Sequence, residues 1–188
     1  MRANIKSATL LAGMLLLNSP YASAEESFAG WLLDFSRNKE VSPVTDKQYR
    51  TECGDCHFPY QPGLLPEKSW KKLLTEEALK DHFGDNAELD KDVLVSVREY
   101  ALANSADKSW HKRSRKIAGS TADLEEAPLR ITEVRYIKRK HQELPEKMVK
   151  GNKGVKSLSF CDKCHTQAAS GVYDQDTVLI PNFPDWDD

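Results

Sequence analysis

The residues of this 188-residue chain that are most able to do chemistry are its four cysteines, which occur as two pairs with the same spacing. In each pair two residues separate the cysteines and a histidine follows directly, as in Cys53-Gly54-Asp55-Cys56-His57 and Cys161-Asp162-Lys163-Cys164-His165. A single CxxC pair could be a redox dithiol or half of a zinc site. Two complete CxxCH motifs that use every cysteine are typical of covalent haem c attachment.

The CxxCH spacing suits haem attachment for a geometric reason. Each sulfur adds across one vinyl group of the porphyrin, and one helical turn holds both sulfurs along the same ring edge. The next residue then lies beneath the iron, where a neutral imidazole can coordinate it. We therefore predict two covalently bound haem c groups. The predicted attachment and ligand residues are Cys53, Cys56 and His57 for the first haem, and Cys161, Cys164 and His165 for the second.

The segment after the first motif, residues 58–66, contains three prolines and a glycine, which exclude a regular helix. This composition predicts a loop close to His57. A backbone carbonyl of that loop can accept a hydrogen bond from Nδ1–H of His57, which would fix the tautomer and strengthen the ligand.

The remaining candidates for iron ligation are three histidines and one methionine: His82, His111, His141 and Met148. His82 lies on the apolar face of a predicted helix, and His141 continues the apolar stripe of another. We therefore expect His82 to bind the first iron and His141 the second. His111 lies among several cations that are costly to desolvate, and Met148 lies outside the predicted helix. Both remain alternatives.

Two irons with two histidines each have no open position for a substrate and simply exchange electrons. Without a methionine thioether, both haems are expected to have low potentials. The competing interpretation is a haem enzyme or gas-binding cytochrome with one five-coordinate iron, similar to a dihaem peroxidase. The chain is short for that class, and no other residue cluster indicates peroxide chemistry. A haem store or assembly factor has no positive support.

The first 24 residues have the pattern of a secretory signal peptide. Arg2 and Lys6 precede an apolar run at residues 8–17, and Ala22-Ser23-Ala24 is a small-residue cleavage pattern. The alternative, a membrane anchor, requires a longer apolar run. We expect a mature chain that begins near Glu25, has no membrane span and lies in the periplasm, where haem c is attached.

Charge is unevenly distributed along the chain. Residues 108–156 contain 14 Lys and Arg against 6 Asp and Glu, whereas the whole chain contains 27 against 29. A basic segment of this kind often indicates nucleic-acid binding, but export argues against that function. We expect the segment to solvate a connection between domains, to balance haem propionates or to attract an acidic redox partner.

Hydrophobic periodicity predicts a mainly α-helical protein. Residues 66–84, 90–104 and 129–144 have the spacing of amphipathic helices, and residues 161–169 are predicted to form a helix closed by Gly171. Residues 107–116 are polar and charged on every face, and Gly119-Ser120-Thr121 continues this composition, so residues 106–127 predict a linker. The predicted organisation is a signal peptide (1–24), an N-terminal haem domain (25–107), a basic linker (108–128) and a C-terminal haem domain (129–188).

Over most of residues 49–181 the chain resembles the bacterial dihaem cytochrome c family. The residues that carry the resemblance are Glu52-Cys53-Gly54-Asp55-Cys56-His57, Pro62-Gly63-Leu64-Leu65-Pro66 with Trp70, Asp81-His82-Phe83-Gly84, Arg130-Ile131-Thr132-Glu133, His141 and the second CxxCH motif. The resemblance implies an electron carrier with two bis-histidine haems, in an N-terminal domain similar to class I cytochromes c and an irregular C-terminal one. It implies a small monohaem cytochrome c and a membrane cytochrome b as partners. Residues 108–126 and the Asp-rich end depart from the family pattern.

Overall fold

The computed structural model describes residues 40–186 of the chain. The predicted signal peptide lies outside this range. Within it the protein is mainly helical, and the extended pairing consists of two isolated β-bridges, one between His82 and Asp85 and one between His165 and Val178. No helix in the described range is long and apolar enough to cross a membrane.

The helices of residues 40–186 are short. The α-helices are α1 (Lys47–Glu52), α2 (Glu67–Leu73), α3 (Glu76–Lys80), α4 (Lys91–Ala103), α5 (Lys112–Gly119), α6 (Arg135–Lys140) and α7 (Glu146–Val149). The 3₁₀ helices are Pro62–Leu64, Ile131–Glu133, Cys161–Lys163, Ala168–Ser170 and Gln175–Thr177. The prediction of a helix over residues 90–104 is confirmed by α4, which has Asp90 as its N-cap and Asn104 as its C-cap.

The hydrophobic core holds the loop after the first CxxCH motif against α1, α2 and α4. α4 packs on both α1 and α2, and Tyr49, Trp70 and Val97 are buried between them. The Trp70 indole donates a hydrogen bond to the Pro62 carbonyl at 2.8 Å, and the Tyr49 hydroxyl donates one to the Tyr60 carbonyl at 2.9 Å. Buried donors thereby fix the backbone of the predicted loop.

The prediction of one helix over residues 66–84 is wrong, because the segment forms α2 and α3. Leu74 leaves the helical conformation (φ −100°, ψ 63°), and the hydroxyl of Thr75 accepts a hydrogen bond from the Ala78 amide at 3.1 Å. A threonine side chain that binds a free amide favours a new helix start over a helix interior. His82 consequently lies in a turn beyond α3.

Residues 129–144 likewise do not form the single helix that their periodicity predicts. Val134 is fully buried in the core and has an extended ψ of 124°, which separates the 3₁₀ helix Ile131–Glu133 from α6. α6 ends at Lys140, so His141 follows the helix. Burial of one side chain has outweighed local helix propensity here.

The predicted helix over residues 161–169 is replaced by the 3₁₀ helices Cys161–Lys163 and Ala168–Ser170. Gly171 does close the segment, with a left-handed φ of 76°. A Cβ at this position would lie 2.1 Å from the Val41 carbonyl oxygen. Glycine is therefore required both by the conformation and by the close approach of the chain.

Residues 112–119 form α5 where the sequence predicted an irregular, fully solvated linker. Ser114 and Ile117 are buried on one side of α5, and Ile117 belongs to the main core. All described residues lie in one compact unit. The structure therefore does not confirm a division into two domains, and the boundaries at residues 107 and 128 stay predictions.

Candidate haem sites

The first CxxCH motif begins where α1 ends. Cys53 is the C-cap of α1, and its amide donates a hydrogen bond to the Tyr49 carbonyl at 3.0 Å. The chain then turns tightly, so that a Cβ on Gly54 would lie 2.3 Å from the Arg50 carbonyl oxygen. A glycine between the two cysteines therefore allows the turn to fold back on α1.

His57 is oriented by the backbone that follows it. Its Nδ1 lies 2.7 Å from the Phe58 carbonyl oxygen, which confirms the prediction that a carbonyl of this loop would bind it. Its ring stacks on Tyr60, with 4.8 Å between the ring centres. A hydrogen on Nδ1 leaves Nε2 of His57 available to bind a metal ion.

His82 faces His57 across the first site. The ring centres of His57 and His82 are 6.4 Å apart, and their planes are inclined by 22°. Two imidazoles that bind one metal ion from opposite sides, with metal–nitrogen distances of about 2.0–2.1 Å, place their ring centres about 6 Å apart. The spacing of His57 and His82 therefore fits a pair of axial ligands.

A tight turn positions His82. The His82 amide donates to the Asp85 carbonyl at 2.8 Å, and Phe83, the next residue, has a positive φ of 61°. Nδ1 of His82 is buried without a hydrogen-bond partner among the described residues. Burial, followed by the charges of His57 and Arg130, lowers the pKa of His82, which favours the neutral form that a metal requires.

The first cavity has a volume of about 370 Å³. It is lined by Cys53, Cys56, His57 and His82 together with apolar side chains that include Trp70, Leu73, Leu79 and Phe83. Burial raises the pKa of the Cys53 thiol to about 12. Apolar walls, the two cysteines of the motif and two facing imidazoles fit a covalently bound haem.

The second CxxCH motif is held by a 3₁₀ helix and a β-bridge. The His165 amide donates to the Cys161 carbonyl at 2.8 Å, and the Leu179 amide donates to the Cys164 carbonyl at 2.8 Å. These bonds attach the motif to the chain near Val178, which pairs with His165. The second CxxCH motif is therefore held by the segment near Val178, and not by the predicted helix over residues 161–169.

His141 faces His165 across the second site. Their ring centres are 6.0 Å apart and their planes are inclined by 75°, so this spacing also fits two axial ligands. Nδ1 of His141 lies 2.9 Å from the Ile137 carbonyl oxygen, whereas Nδ1 of His165 is buried without a partner in the described part. Burial, followed by the charge of His141, lowers the pKa of His165 to about 4.

The second cavity has a volume of about 810 Å³ and is lined by His141 and His165 together with Cys161 and Cys164. Buried Met148 also lines it, whereas His111 lines neither cavity and is the N-cap of α5. The two cavities share a wall formed by Ile131, Thr132, Leu158, Phe160 and Cys161.

Three residues that the sequence did not single out connect the sites. The Tyr60 hydroxyl donates to the Ser159 carbonyl, two residues before Cys161. The Tyr173 hydroxyl donates to Gln61 Oε1, and Gln61 Nε2 donates to the Ala168 carbonyl, both at 2.5 Å. Tyr60 and Gln61 follow the first motif closely, but no sequence signal pairs them with residues 99 to 112 positions later.

Comparisons with known proteins agree with this geometry. The family model for dihaem cytochrome c matches residues 49–173. The dihaem cytochrome c from Shewanella baltica OS155 is 38% identical, with a TM-score of 0.61, over 75% of this chain and 97% of that chain. The dihaem cytochrome c from Rhodobacter sphaeroides is 37% identical, with a TM-score of 0.60, over 71% and 100%. No curated protein matches the chain.

The match extends over both motifs and both sites. The mainly helical fold, the two CxxCH motifs and the two apolar cavities fit the two covalently bound haem c groups that the family carries. A family of this kind indicates electron transfer. This chain belongs to the dihaem cytochrome c family.

Proposed function

We propose that this protein is a periplasmic electron carrier in which each haem iron is bound by two histidines. The observation that carries the proposal is the pairing of histidines in both cavities, at 6.4 Å for His57 with His82 and 6.0 Å for His165 with His141. A pair of imidazoles on one iron leaves no position for a substrate, so electron exchange is the chemistry that remains.

Residues of this chain hold the two haem groups and influence their reduction potentials. Haem c supplies one-electron redox chemistry at its iron. His57 and His141 each have Nδ1 within 2.9 Å of a backbone carbonyl oxygen, which makes each ring a more basic ligand. Histidine lacks the thioether that raises the potential of Met/His cytochromes. Low potentials at both haems follow from this ligand set.

The wall between the cavities supports a single electron-transfer unit. Phe160 and Cys161 line both cavities, so an electron that enters at one site has only this wall to cross. The Tyr60 hydroxyl, on the loop of the first motif, binds the Ser159 carbonyl beside this wall. The two sites are thereby held together by the chain's own hydrogen bonds.

The location and partners follow from the leader pattern and from the family. Residues 1–24 have the composition of a signal peptide, and haem c is attached outside the cytoplasm. We expect electrons to pass between a membrane cytochrome b and a soluble haem protein such as a small monohaem cytochrome c.

Electron paramagnetic resonance of the ferric protein tests the proposal. Two low-spin signals with no high-spin component are expected when both irons have two histidines. A high-spin signal from one iron would favour a haem enzyme or gas-binding cytochrome instead. Mass spectrometry of the exported protein should show two haem additions on a chain that starts near Glu25.

A further inference from the structure

One exposed aromatic side chain has no explanation in the haem sites. The described residues include six large hydrophobic side chains that are well exposed, and three of them, Phe83, Leu129 and Leu158, line the first cavity. A haem bound in that cavity would cover these three side chains. Trp110 is 87% exposed and lines neither cavity. It lies just before α5.

The exposed side of α5 is basic and forms no ion pair with residues 40–186. Lys112, Arg115 and Lys116 are exposed, and no acidic residue in the described part of the chain forms an ion pair with any of them. None of the three lines a haem cavity. Haem propionates therefore do not explain these charges. We call Trp110, Lys112, Arg115 and Lys116 the α5 basic face.

The opposite side of α5 is fixed to the protein. Arg113 points inward and forms an ion pair with Glu40 at 2.9 Å, and Glu40 also accepts a hydrogen bond from the Tyr173 amide at 2.8 Å. Arg113 and Tyr173 both line the second cavity. A helix anchored in this way presents its outer charges in a fixed arrangement, which lowers the entropy cost of binding.

The α5 basic face lies beside the second haem site. α5 packs on α6, and the cations of Lys116 and Arg139 lie 5.9 Å and 5.7 Å from the centre of the Tyr136 ring. Arg139 and Tyr136 line the second cavity. The face therefore continues from exposed α5 to the rim of that cavity.

We propose that the α5 basic face is the docking surface for a redox protein with an acidic surface, which exchanges electrons with this protein at the second haem site. The inference rests on the proposed function. Tryptophan and arginine are the side chains that most often dominate binding energy at interfaces, and unpaired exposed cations accelerate encounter with a negative partner. The exchange oxidises one protein and reduces the other by one electron, and no bond is made or broken.

Stopped-flow oxidation of the reduced, haem-loaded protein tests this surface. The probe is soluble cytochrome b5, a one-electron haem protein with an acidic surface. The variant Lys112→Gln/Arg115→Gln/Lys116→Gln is expected to slow association by about tenfold at low ionic strength, and the difference should shrink near 0.15 M salt. Trp110→Ala is expected to weaken the complex by about fivefold or more at the higher salt.

A control variant removes three positive charges from a part of the surface outside the α5 basic face. Lys72, Lys80 and Arg98 are exposed and line neither cavity, so Lys72→Gln/Lys80→Gln/Arg98→Gln should leave the rate near that of the unaltered protein. Equal slowing by both triple variants would overturn the assignment of the docking surface, because only net charge would then matter. An unchanged dissociation constant in Trp110→Ala would remove Trp110 from it.

A membrane surface is the competing use of a tryptophan beside cations. Sedimentation with vesicles of phosphatidylcholine and phosphatidylglycerol (3:1) should show no binding that depends on the α5 basic face. Vesicle binding that the α5 triple variant abolishes, with unchanged electron exchange, would overturn the proposal. Failure of the proposed function would differ from either result, since it would show as a high-spin signal in the unaltered ferric protein.

Discussion

The imidazole planes of His141 and His165 are inclined by 75°, whereas those of His57 and His82 are inclined by only 22°. Each imidazole π system raises the energy of the iron d orbital that it overlaps. Nearly parallel rings act on the same orbital, but nearly perpendicular rings act on two orbitals almost equally. The two irons should therefore differ in the splitting of their d orbitals.

We expect two distinct low-spin signals in the ferric protein. The second haem should give the more anisotropic signal, with the larger maximum g value, because the planes of its proposed ligands His141 and His165 are close to perpendicular. Low-temperature electron paramagnetic resonance measures this directly, and His141→Ala should remove that signal alone. Two superimposable signals would contradict the ring orientations.

Removal of His82 should open the first iron and leave the second unchanged. His82 is the imidazole that faces His57 at 6.4 Å, so His82→Ala should produce a high-spin haem that binds carbon monoxide rapidly when reduced. His141→Ala should do the same at the second haem. Absorption spectra of the ferric and reduced, carbon monoxide-treated variants report both results.

Two further variants test the alternatives for the sixth ligands. His111 lines neither cavity, and Met148 lines the second without being the residue that faces His165. His111→Ala and Met148→Leu should leave both haems low-spin. A high-spin haem in either variant would assign that residue as a ligand.

The sequence predicted the attachment motifs because covalent chemistry fixes their spacing. It selected His82 and His141 by placing them on helix faces, yet the structure brings them to the motif histidines from a turn after α3 and from the end of α6. Periodicity alone cannot reveal that Thr75 starts a new helix or that burial of Val134 interrupts one. The first break is a local cap, formed by the Thr75 hydroxyl and the Ala78 amide, whereas the second depends on tertiary packing.

α5 is a second element that the sequence could not predict, because its buried side is very small. Its buried side contains Ser114 and Ile117, three residues apart, among four charged residues: Lys112, Arg113, Arg115 and Lys116. A sequence with only two buried positions in one helix cannot be told apart from the sequence of a fully solvated segment. The partner that holds Arg113 against the protein, Glu40, lies 73 positions earlier in the chain.

Loss of the Arg113–Glu40 ion pair should destabilise the protein. The side chains are only 17% and 13% exposed, and the guanidinium makes two hydrogen bonds of 2.9 Å to the carboxylate. The pair is partly buried, so Arg113→Ala leaves a partly desolvated carboxylate and should lower the free energy of unfolding by about 1–3 kcal/mol. Urea unfolding of the haem-loaded protein, followed by circular dichroism, measures the change.

Arg135→Ala is the control for that measurement. Arg135 pairs with Asp123 at 3.0 Å, but these side chains are 54% and 66% exposed, and exposed pairs contribute only about 0–1 kcal/mol. A loss in Arg113→Ala no larger than in Arg135→Ala would show that the Arg113 pair does not stabilise the attachment of α5.

Arg130 should hold His82 in place through Phe83. The Arg130 guanidinium carbon lies 3.9 Å from the centre of the Phe83 ring, and Phe83 has a positive φ of 61° in the turn that contains His82. A phenylalanine in this conformation costs about 1–2 kcal/mol and needs support from its surroundings. The cation–π contact between Arg130 and Phe83 supplies such support.

In the proposed site, carbon monoxide binding to the reduced protein measures how readily His82 leaves the iron, because a sixth ligand must dissociate first. Arg130→Gln should accelerate binding at the first haem by about two- to fivefold, the equivalent of one exposed cation–π contact, and Arg130→Lys should restore part of the slow rate. Phe83→Leu should have a similar effect, and the double variant should add little to either, since both act through one contact. Additive effects would mean that Arg130 acts independently of Phe83, by its charge near the haem alone. Unchanged binding in Arg130→Gln would mean that the turn holds His82 without help from Arg130.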